Sequence, residues 1–191
     1  MRIILSFFYL IIFTAFLSGC ASYKSSDSSF TDPRDGHVYA TVKVGNLIWM
    51  LDNLNYDATG SYCYDDKMIN CNKFGKLYTW ETAFDACPPG WRLPSESEMR
   101  RLVEFFGNPT TIADILTKTP PEGFNIPYSG SRYYSGEYAG IGEYFVMWTS
   151  NEVDNEKVTC FSLDKEGKER ITWPDYLKTA GFSVRCVRKA Y

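Results

Sequence analysis

The sequence of 191 residues contains a single histidine, His37. One imidazole leaves no histidine cluster for a metal centre, and any Ser/His or Cys/His catalytic pair would have to use this residue. The 20 basic and 23 acidic side chains give a net charge of −3, which argues against the broad basic surface of a nucleic-acid-binding protein. The cysteines also lack zinc-binding spacing. We therefore expect no enzyme, no cofactor, no metal and no nucleic-acid partner.

The amino terminus has the pattern of an export signal. Met1-Arg2 precedes the fifteen residues 3–17, of which only two are polar. This run is shorter than the roughly 20 residues of a membrane-spanning helix and has the length of a secretory signal. Leu17-Ser-Gly-Cys20 then resembles a bacterial lipobox, which implies cleavage before Cys20 and lipid attachment to its sulfur. An uncleaved anchor, or an ordinary signal with an accidental cysteine, is the alternative.

These features divide the chain into three parts. We predict a lipoprotein signal peptide at 1–19, a lipidated serine-rich tether at 20–31 and one folded domain at 32–191. By resemblance to sorted lipoproteins, Ala21 after the cysteine implies the outer membrane. The expected location is the bacterial envelope, with the membrane as a partner through the lipid.

The first half of the domain predicts a hairpin and two helices. Residues 38–44 alternate in polarity, and a Gly45-Asn46 turn leads into the apolar run 47–50. Thr79 is the expected cap of a helix whose apolar face holds Trp80, Ala83, Phe84 and Cys87. Ser95 and Glu98 form a capping box for a second helix, which ends at Gly107 and Pro109 and buries Met99, Leu102, Val103 and Phe106.

The second half is richer in strand signals. Residues 111–116 predict one or two helical turns, and 123–142 predict a long shaped loop of glycine and tyrosine. Strand character returns at 145–150, 158–163, 169–173 and 182–187. Helices followed by a strand-rich half indicate an α+β fold.

The cysteines that follow Cys20 suit an exported, oxidising environment. Cys63 and Cys71 bracket seven residues, which is short enough for a local disulfide. Cys87 ends the apolar face of the first helix and Cys186 shares a strand face with Phe182 and Val184, so we expect both to point inward and to pair. Cys160 is then a buried free thiol.

The chain has 14 tyrosines, 13 phenylalanines and 5 tryptophans, and these are dense between residues 128 and 148. The side chains that we select as a candidate ligand surface are Tyr128, Arg132, Tyr133, Tyr134, Tyr138, Tyr144 and Trp148. Because large aromatic residues also fill small cores, packing is the alternative for this segment. Arg132 pairs either with an anionic ligand or with a neighbouring carboxylate.

Residues 32–189 resemble the Fibrobacter succinogenes major paralogous domain. The matching stretches are 32–39 (DPRDGHVY), 44–50 (VGNLIWM), 53–56 (NLNY), 63–64 (CY), 75–80 (GKLYTW), 87–95 (CPPGWRLPS) and 182–187 (FSVRCV). Met99 departs from the tryptophan that is usual there. Trp80 to Cys87, the segment 90–94 and Glu98 are also similar to C-type lectin-like domains, in which the helix cysteine bridges to one near the carboxyl terminus, here Cys186.

This resemblance implies a C-type lectin-like α+β domain, with two helices near the N-terminal half and a mainly antiparallel, strand-rich C-terminal half. It also implies a secreted or lipid-anchored surface module. The calcium motifs of true lectins, Glu-Pro-Asn and Gln-Pro-Asp, are absent, and 148–151 matches their Trp-Asn-Asp segment only in part. The nearby oxygen donors form either an ion site or a polar loop: Glu152, Asp154, Asn155 and Glu156.

The expected function is therefore a non-enzymatic, surface-anchored binding or adhesion module for a polysaccharide or another envelope component. One alternative is a structural or assembly lipoprotein that binds a protein partner through its aromatic loop. A more remote alternative is an enzyme similar to formylglycine-generating oxidases, whose copper-binding cysteine pair is not matched here.

Overall fold

The structure, a computed structural model, describes residues 28–107, 111–167 and 169–190. The predicted signal peptide, the lipid-attachment residue Cys20, the tether up to residue 27 and the helix stop at Pro109 lie outside these residues. Within the described ranges, no helix is both long enough and apolar enough to cross a bilayer.

Twelve strands and four α-helices lie in the described ranges. The strands are β1 (Ser28–Thr31), β2 (Val38–Val44), β3 (Leu47–Met50), β4 (Ser61–Tyr62), β5 (Leu77–Tyr78), β6 (Ser129–Arg132), β7 (Tyr138–Ile141), β8 (Tyr144–Glu152), β9 (Lys157–Asp164), β10 (Ile171–Thr172), β11 (Asp175–Leu177) and β12 (Val187–Lys189). The helices are α1 (Met68–Phe74), α2 (Trp80–Ala86), α3 (Glu96–Phe105) and α4 (Ile112–Thr117).

The fold is mixed α/β with mostly antiparallel sheets. A four-stranded sheet has the order β1-β2-β3-β12, a second has the order β10-β9-β8-β6-β7 with β11 also on β9, and β4 pairs with β5. The pair β6 and β8 is parallel, through Gly130 and Phe145. The predicted 38–50 hairpin is confirmed, with Val44 opposite Leu47. Strand β1 lies inside the segment that we predicted as a tether, because residues 28–31 pair with β2.

Two hydrophobic clusters form the core, on opposite faces of the first sheet. Tyr39 and Met50 belong to one cluster, whereas Val42 and Trp49 belong to the other. Successive side chains of a strand point to opposite faces, so both faces of β2 and β3 are covered. The alternation of residues 38–44 predicted that Val38 lies on the buried face of β2 and Tyr39 on the opposite face. This prediction was wrong at the start of the strand, where Val38 is exposed and Tyr39 is buried.

The helices differ from the prediction in three places. Helix α1 was not foreseen, because it begins inside the short loop between Cys63 and Cys71 and continues to Phe74. Thr79 precedes α2 but its side chain does not cap it; the Thr79 hydroxyl pairs with that of Thr82 at 3.0 Å. Phe84 was expected on the buried face and is 54% exposed. Helix α4 confirms the predicted helical turns.

The region 123–142 is not one long loop, because residues 129–132 and 138–141 pair as a hairpin. Both β6 and β7 escaped prediction, because each is only four residues long and contains glycine, which is depleted in strands. The predicted strand 182–187 is also different. In the described structure only Val187 of this segment belongs to a strand, and Phe182 and Ser183 make single bridges to Tyr78 and Met147.

Both predicted disulfides are present. Cys63 pairs with Cys71 and Cys87 pairs with Cys186, at sequence separations of 8 and 99 residues. Cys160 is the free, buried cysteine of the described chain. The Cys87–Cys186 bridge fixes the end of α2 to the buried segment 182–187, which is hydrogen-bonded to strands of both larger sheets.

The capping box of α3 is confirmed and gives a testable pH dependence. Glu98 accepts hydrogen bonds from both terminal nitrogens of Arg92, at 2.8 and 2.7 Å, and from the Ser95 amide at 2.8 Å. These bonds, the Arg92 contacts first, lower the pKa of Glu98 to about 2. Because the folded-state pKa lies below the ordinary value, this stabilisation is fully present above about pH 5 and is lost as the pH falls toward 2.

We expect Glu98→Gln to lower the free energy of unfolding by about 1–2 kcal/mol at pH 7, after a discount for the half-exposed Arg92. Urea titrations at pH 7 and pH 2.5 measure the effect, which should be much smaller at the lower pH because Glu98 is then protonated in the unfolded chain and partly protonated in the folded one. Glu96→Gln is the matched control, because Glu96 pairs on the surface with Arg100 at 2.6 Å and should matter by less than about 0.5 kcal/mol. An equal loss for Glu98→Gln at both pH values would contradict the prediction.

Candidate functional site

The hairpin of β6 and β7 carries most of the predicted ligand surface. Its connection is closed by two hydrogen bonds, from the Tyr133 amide to Glu137 O at 2.7 Å and from the Gly136 amide to Tyr133 O at 2.9 Å. Gly136 has φ +99°, which glycine adopts without strain. The turn presents Tyr133 and Tyr134 to solvent, at 45% and 70% exposure.

Arg132 is held between aromatic rings beside this turn. Its guanidinium carbon lies 4.0 Å from the ring centre of Tyr62 and 5.9 Å from that of Tyr138. Its backbone is fixed by reciprocal hydrogen bonds with Gly181, at 2.9 and 2.7 Å. The Arg132 Nε atom is buried and has no hydrogen-bond partner in the described part of the chain. Arg132 forms no ion pair with a carboxylate in the described part of the chain and stacks on tyrosines instead, and its contact with an anionic ligand stays a prediction.

Tyr138 joins this hairpin to the disulfide-bonded segment 63–71. Its hydroxyl donates to Asp66 Oδ1 at 2.6 Å, and its ring lies 5.2 Å from that of Tyr64. Burial and the Asp66 carboxylate raise the pKa of Tyr138 to about 12, so the hydroxyl stays protonated and donates at neutral pH. We call Tyr62, Arg132, Tyr133, Tyr134 and Tyr138 the hairpin surface. Sequence reasoning missed Tyr62, because it lies 70 residues before Arg132.

The remaining predicted surface residues are Trp148, Tyr144 and Tyr128. Trp148 is fully buried, with Nε1 donating to Tyr78 O at 2.7 Å, so its selection as a ligand contact is corrected. Tyr144 is half-buried against the hairpin, because its hydroxyl shares a hydrogen bond with Ser131 of β6 at 2.8 Å while its ring also packs on the first core cluster. Tyr128 packs on the second cluster and accepts from Arg170 at 3.0 Å. The two tyrosines therefore do not share one surface.

Two of the four predicted oxygen donors near the β8–β9 turn bind other groups of the protein. Asp154 Oδ1 accepts from the amides of Glu156 and Lys157, both at 2.8 Å, and Glu152 pairs with Lys178 at 2.6 Å. Across the described ranges, histidine, cysteine and acidic residues form no group of three that suits a metal ion.

A polar cavity of about 320 Å³ opens on another part of the molecule. It lies between the end of α1, the segment after β3 and the turn at Asn125, and Arg185 forms its inner wall. Gly75 allows this close approach, since a Cβ atom there would lie 2.7 Å from the Asn53 Cβ. Asn53 Nδ2 donates to Phe74 O at 2.8 Å and fixes the same junction.

Arg185 is buried, and no acidic side chain among the described residues forms an ion pair with it. Its guanidinium donates to Asn53 Oδ1 at 2.8 Å, Phe124 O at 2.6 Å and Asn125 O at 2.7 Å, all neutral acceptors. Burial lowers the pKa of Arg185 to about 9, which leaves it cationic at neutral pH.

Residues 42–188 match the family model of the Fibrobacter succinogenes major domain. The chain belongs to this family. A search of curated proteins found no matching sequence. The family match confirms the resemblance that the sequence motifs indicated.

In this Fibrobacter succinogenes major domain, the stretches that carry the resemblance also line the polar cavity. The lining residues that they supply are His37, Val38, Asn53, Asn55, Gly75 and Arg185. Sequence reasoning used these stretches as signs of the fold and missed the cavity. The available signal was Arg185, a charged residue inside the apolar run 182–187, because a charge is costly to bury unless it has a role.

Proposed function

We propose that this Fibrobacter succinogenes major domain is a non-enzymatic binding module with a C-type lectin-like fold, held at the bacterial envelope by lipid on Cys20. Its hairpin surface contacts a polysaccharide. The observation that carries the proposal is the pair of exposed rings, Tyr133 and Tyr134, beside an arginine fixed on Tyr62 and Tyr138.

The chemistry of this surface suits sugars. Tyrosine rings offer flat apolar faces to the C–H faces of sugar rings, and their hydroxyls keep a polar edge in water. Arg132 holds a positive charge beside them, and its stacking on Tyr62 and Tyr138 lowers the side-chain entropy that binding would cost. The Cys87–Cys186 bridge supports the lectin-like fold, since it joins the α2 cysteine to one near the carboxyl terminus.

The cysteines support a non-enzymatic role over the oxidase alternative. Four of the described cysteines are in disulfides, and burial raises the pKa of the remaining Cys160 well above its ordinary value. A buried, protonated thiol is a poor nucleophile and a poor metal ligand.

Retention on insoluble polysaccharides, with and without a chelator, tests the proposal. We expect the full chain in mild detergent to bind at least one polysaccharide, and Tyr133→Ala with Tyr134→Ala to weaken retention about ten-fold, or ~1.4 kcal/mol. Phe84→Ala is the matched control, because Phe84 is an exposed ring on α2, away from the hairpin. Equal retention of both variants, or no retention on any polysaccharide, would contradict the carbohydrate role.

A protein-binding assembly role is the second candidate. The side chains of Met68 and Ile69 at the start of α1 are exposed, close in sequence to Asp66 and its bond to Tyr138. Adjacent exposed apolar side chains are typical of protein contacts. A photo-crosslinker at position 69 should then capture one dominant protein neighbour in cells, and Met68→Ser should reduce its yield. Diffuse capture of many proteins would contradict this role.

A further inference from the structure

The polar cavity has a surplus of positive charge. Arg185 and Lys73 face one lining carboxylate, Asp52, which leaves one net positive charge. Lys73 lies 4.9 Å above the Phe74 ring and makes no ion pair with any residue that the structure describes. Arg185 has no accessible surface, so its effect on the cavity is electrostatic. The protein interior has a low dielectric constant and screens the positive charge of Arg185 only weakly. This charge favours an anionic group at the Lys73 side.

The cavity also offers one amide oxygen that lacks a partner. The Asn55 Oδ1 atom is buried and accepts no hydrogen bond from residues 28–107, 111–167 or 169–190. An unpaired buried acceptor is unfavourable, and a hydroxyl donor that enters beside the half-buried Asn55 side chain would satisfy it. Asp52 is less available, because its oxygens accept from the Ala40 amide at 2.9 Å and from Asn125 Nδ2 at 3.4 Å. The cavity therefore suits a ligand that has hydroxyl groups as well as a negative charge.

The size of the cavity limits the ligand to one small ring. Its volume of about 320 Å³ is at the lower end of small-ligand pockets, which span about 300–1,000 Å³. We propose that the polar cavity binds a hexuronic acid, free or at the end of an acidic polysaccharide, with its carboxylate near Lys73 and a hydroxyl on Asn55. This site is separate from the hairpin surface and does not depend on the function proposed for it.

Calorimetric titration of the full chain in mild detergent with D-galacturonate tests the proposal, with D-galactose and acetate as comparisons. Galactose lacks the carboxylate and acetate lacks the hydroxyl groups, so each should bind at least about ten-fold more weakly than galacturonate. Asn55→Ala and Lys73→Gln should each weaken galacturonate binding about five-fold or more. These variants leave Arg185 intact, because its bonds to Phe124 and Asn125 also hold the fold.

A pair of matched variants locates the site. Val38 lines the cavity and is 56% exposed, whereas Val153 lies on the β8–β9 turn and is 51% exposed. Val38→Glu should abolish galacturonate binding by charge repulsion, and Val153→Glu should leave it unchanged. Tyr134→Ala should also leave it unchanged, which separates this site from the hairpin surface.

Trigalacturonate distinguishes the two sources of the ligand. Binding of both the monomer and the trimer indicates a chain end, and binding of the monomer alone indicates a free sugar acid. The proposal is overturned if galactose binds as tightly as galacturonate, if Val38→Glu and Val153→Glu behave alike, or if galacturonate shows no binding up to about 50 mM, beyond the range of weak ligands.

Discussion

Replacing Cys87 and Cys186 together with alanine should lower the free energy of unfolding by about 5 kcal/mol. The bridge closes a loop at a sequence separation of 99 residues, and chain entropy in the unfolded state predicts about 4.7 kcal/mol for a loop of that size. Urea denaturation of the two forms measures the difference. Such a loss is comparable to the whole stability of an ordinary domain, so the double variant should be largely unfolded at 37 °C.

The Cys63–Cys71 pair is the internal control for this result. Its separation of 8 residues predicts a loss of about 2.5 kcal/mol when both cysteines become alanine. The smaller loss should also be local, because α1 lies within and next to the loop that this bridge closes. Equal losses for the two pairs would contradict the dependence on loop length.

Trp148→Ala should lower the free energy of unfolding by about 3–5 kcal/mol. The side chain is fully buried, its ring centre lies 4.6 Å from that of Phe182, and its removal leaves a large cavity. Trp148→Phe keeps a ring but removes the indole hydrogen bond to Tyr78 O, which still accepts from the Phe182 amide at 3.0 Å, so we expect a smaller loss of about 1–2 kcal/mol. Chemical denaturation followed by far-ultraviolet circular dichroism gives both values.

Polysaccharide retention of the same variants separates core from surface. Folded Trp148→Phe should bind polysaccharide as tightly as the unchanged protein, in contrast to the loss expected for Tyr133→Ala combined with Tyr134→Ala. If Trp148→Phe kept the stability of the unchanged protein but no longer bound polysaccharide, the sequence-based selection of Trp148 as a ligand contact would be right. Its role would then not be core packing.

Several features of the fold followed from short stretches of sequence. The 38–50 hairpin needs alternating residues around a Gly-Asn turn, and the start of α3 needs only Ser95 and Glu98 three residues apart. The two disulfides followed from spacing and from the apolar environment of Cys87 and Cys186. These signals are reliable because the interacting groups are close in the chain or because the bond between them is strong.

The candidate sites were harder to predict. Tyr134 and Trp148 are both aromatic residues in the same segment, yet one is 70% exposed and the other is fully buried. Local sequence cannot separate them, since exposure depends on what packs against each ring. The hairpin surface also needs Tyr62, which reaches Arg132 only through the pairing of β4 with β5 and the contact of Arg132 with Gly181.

The sequence by itself determined the family, the local elements and which cysteines form disulfides. It did so in a chain that has one histidine and an almost balanced charge. Only the tertiary structure decided which tyrosines face solvent and that Asn55, Lys73 and Arg185 line one cavity. The physical reason is the distance along the chain between the residues that interact. Turns, caps and short disulfide loops depend on neighbours in the chain, whereas burial and cavities depend on segments that meet after long loops close.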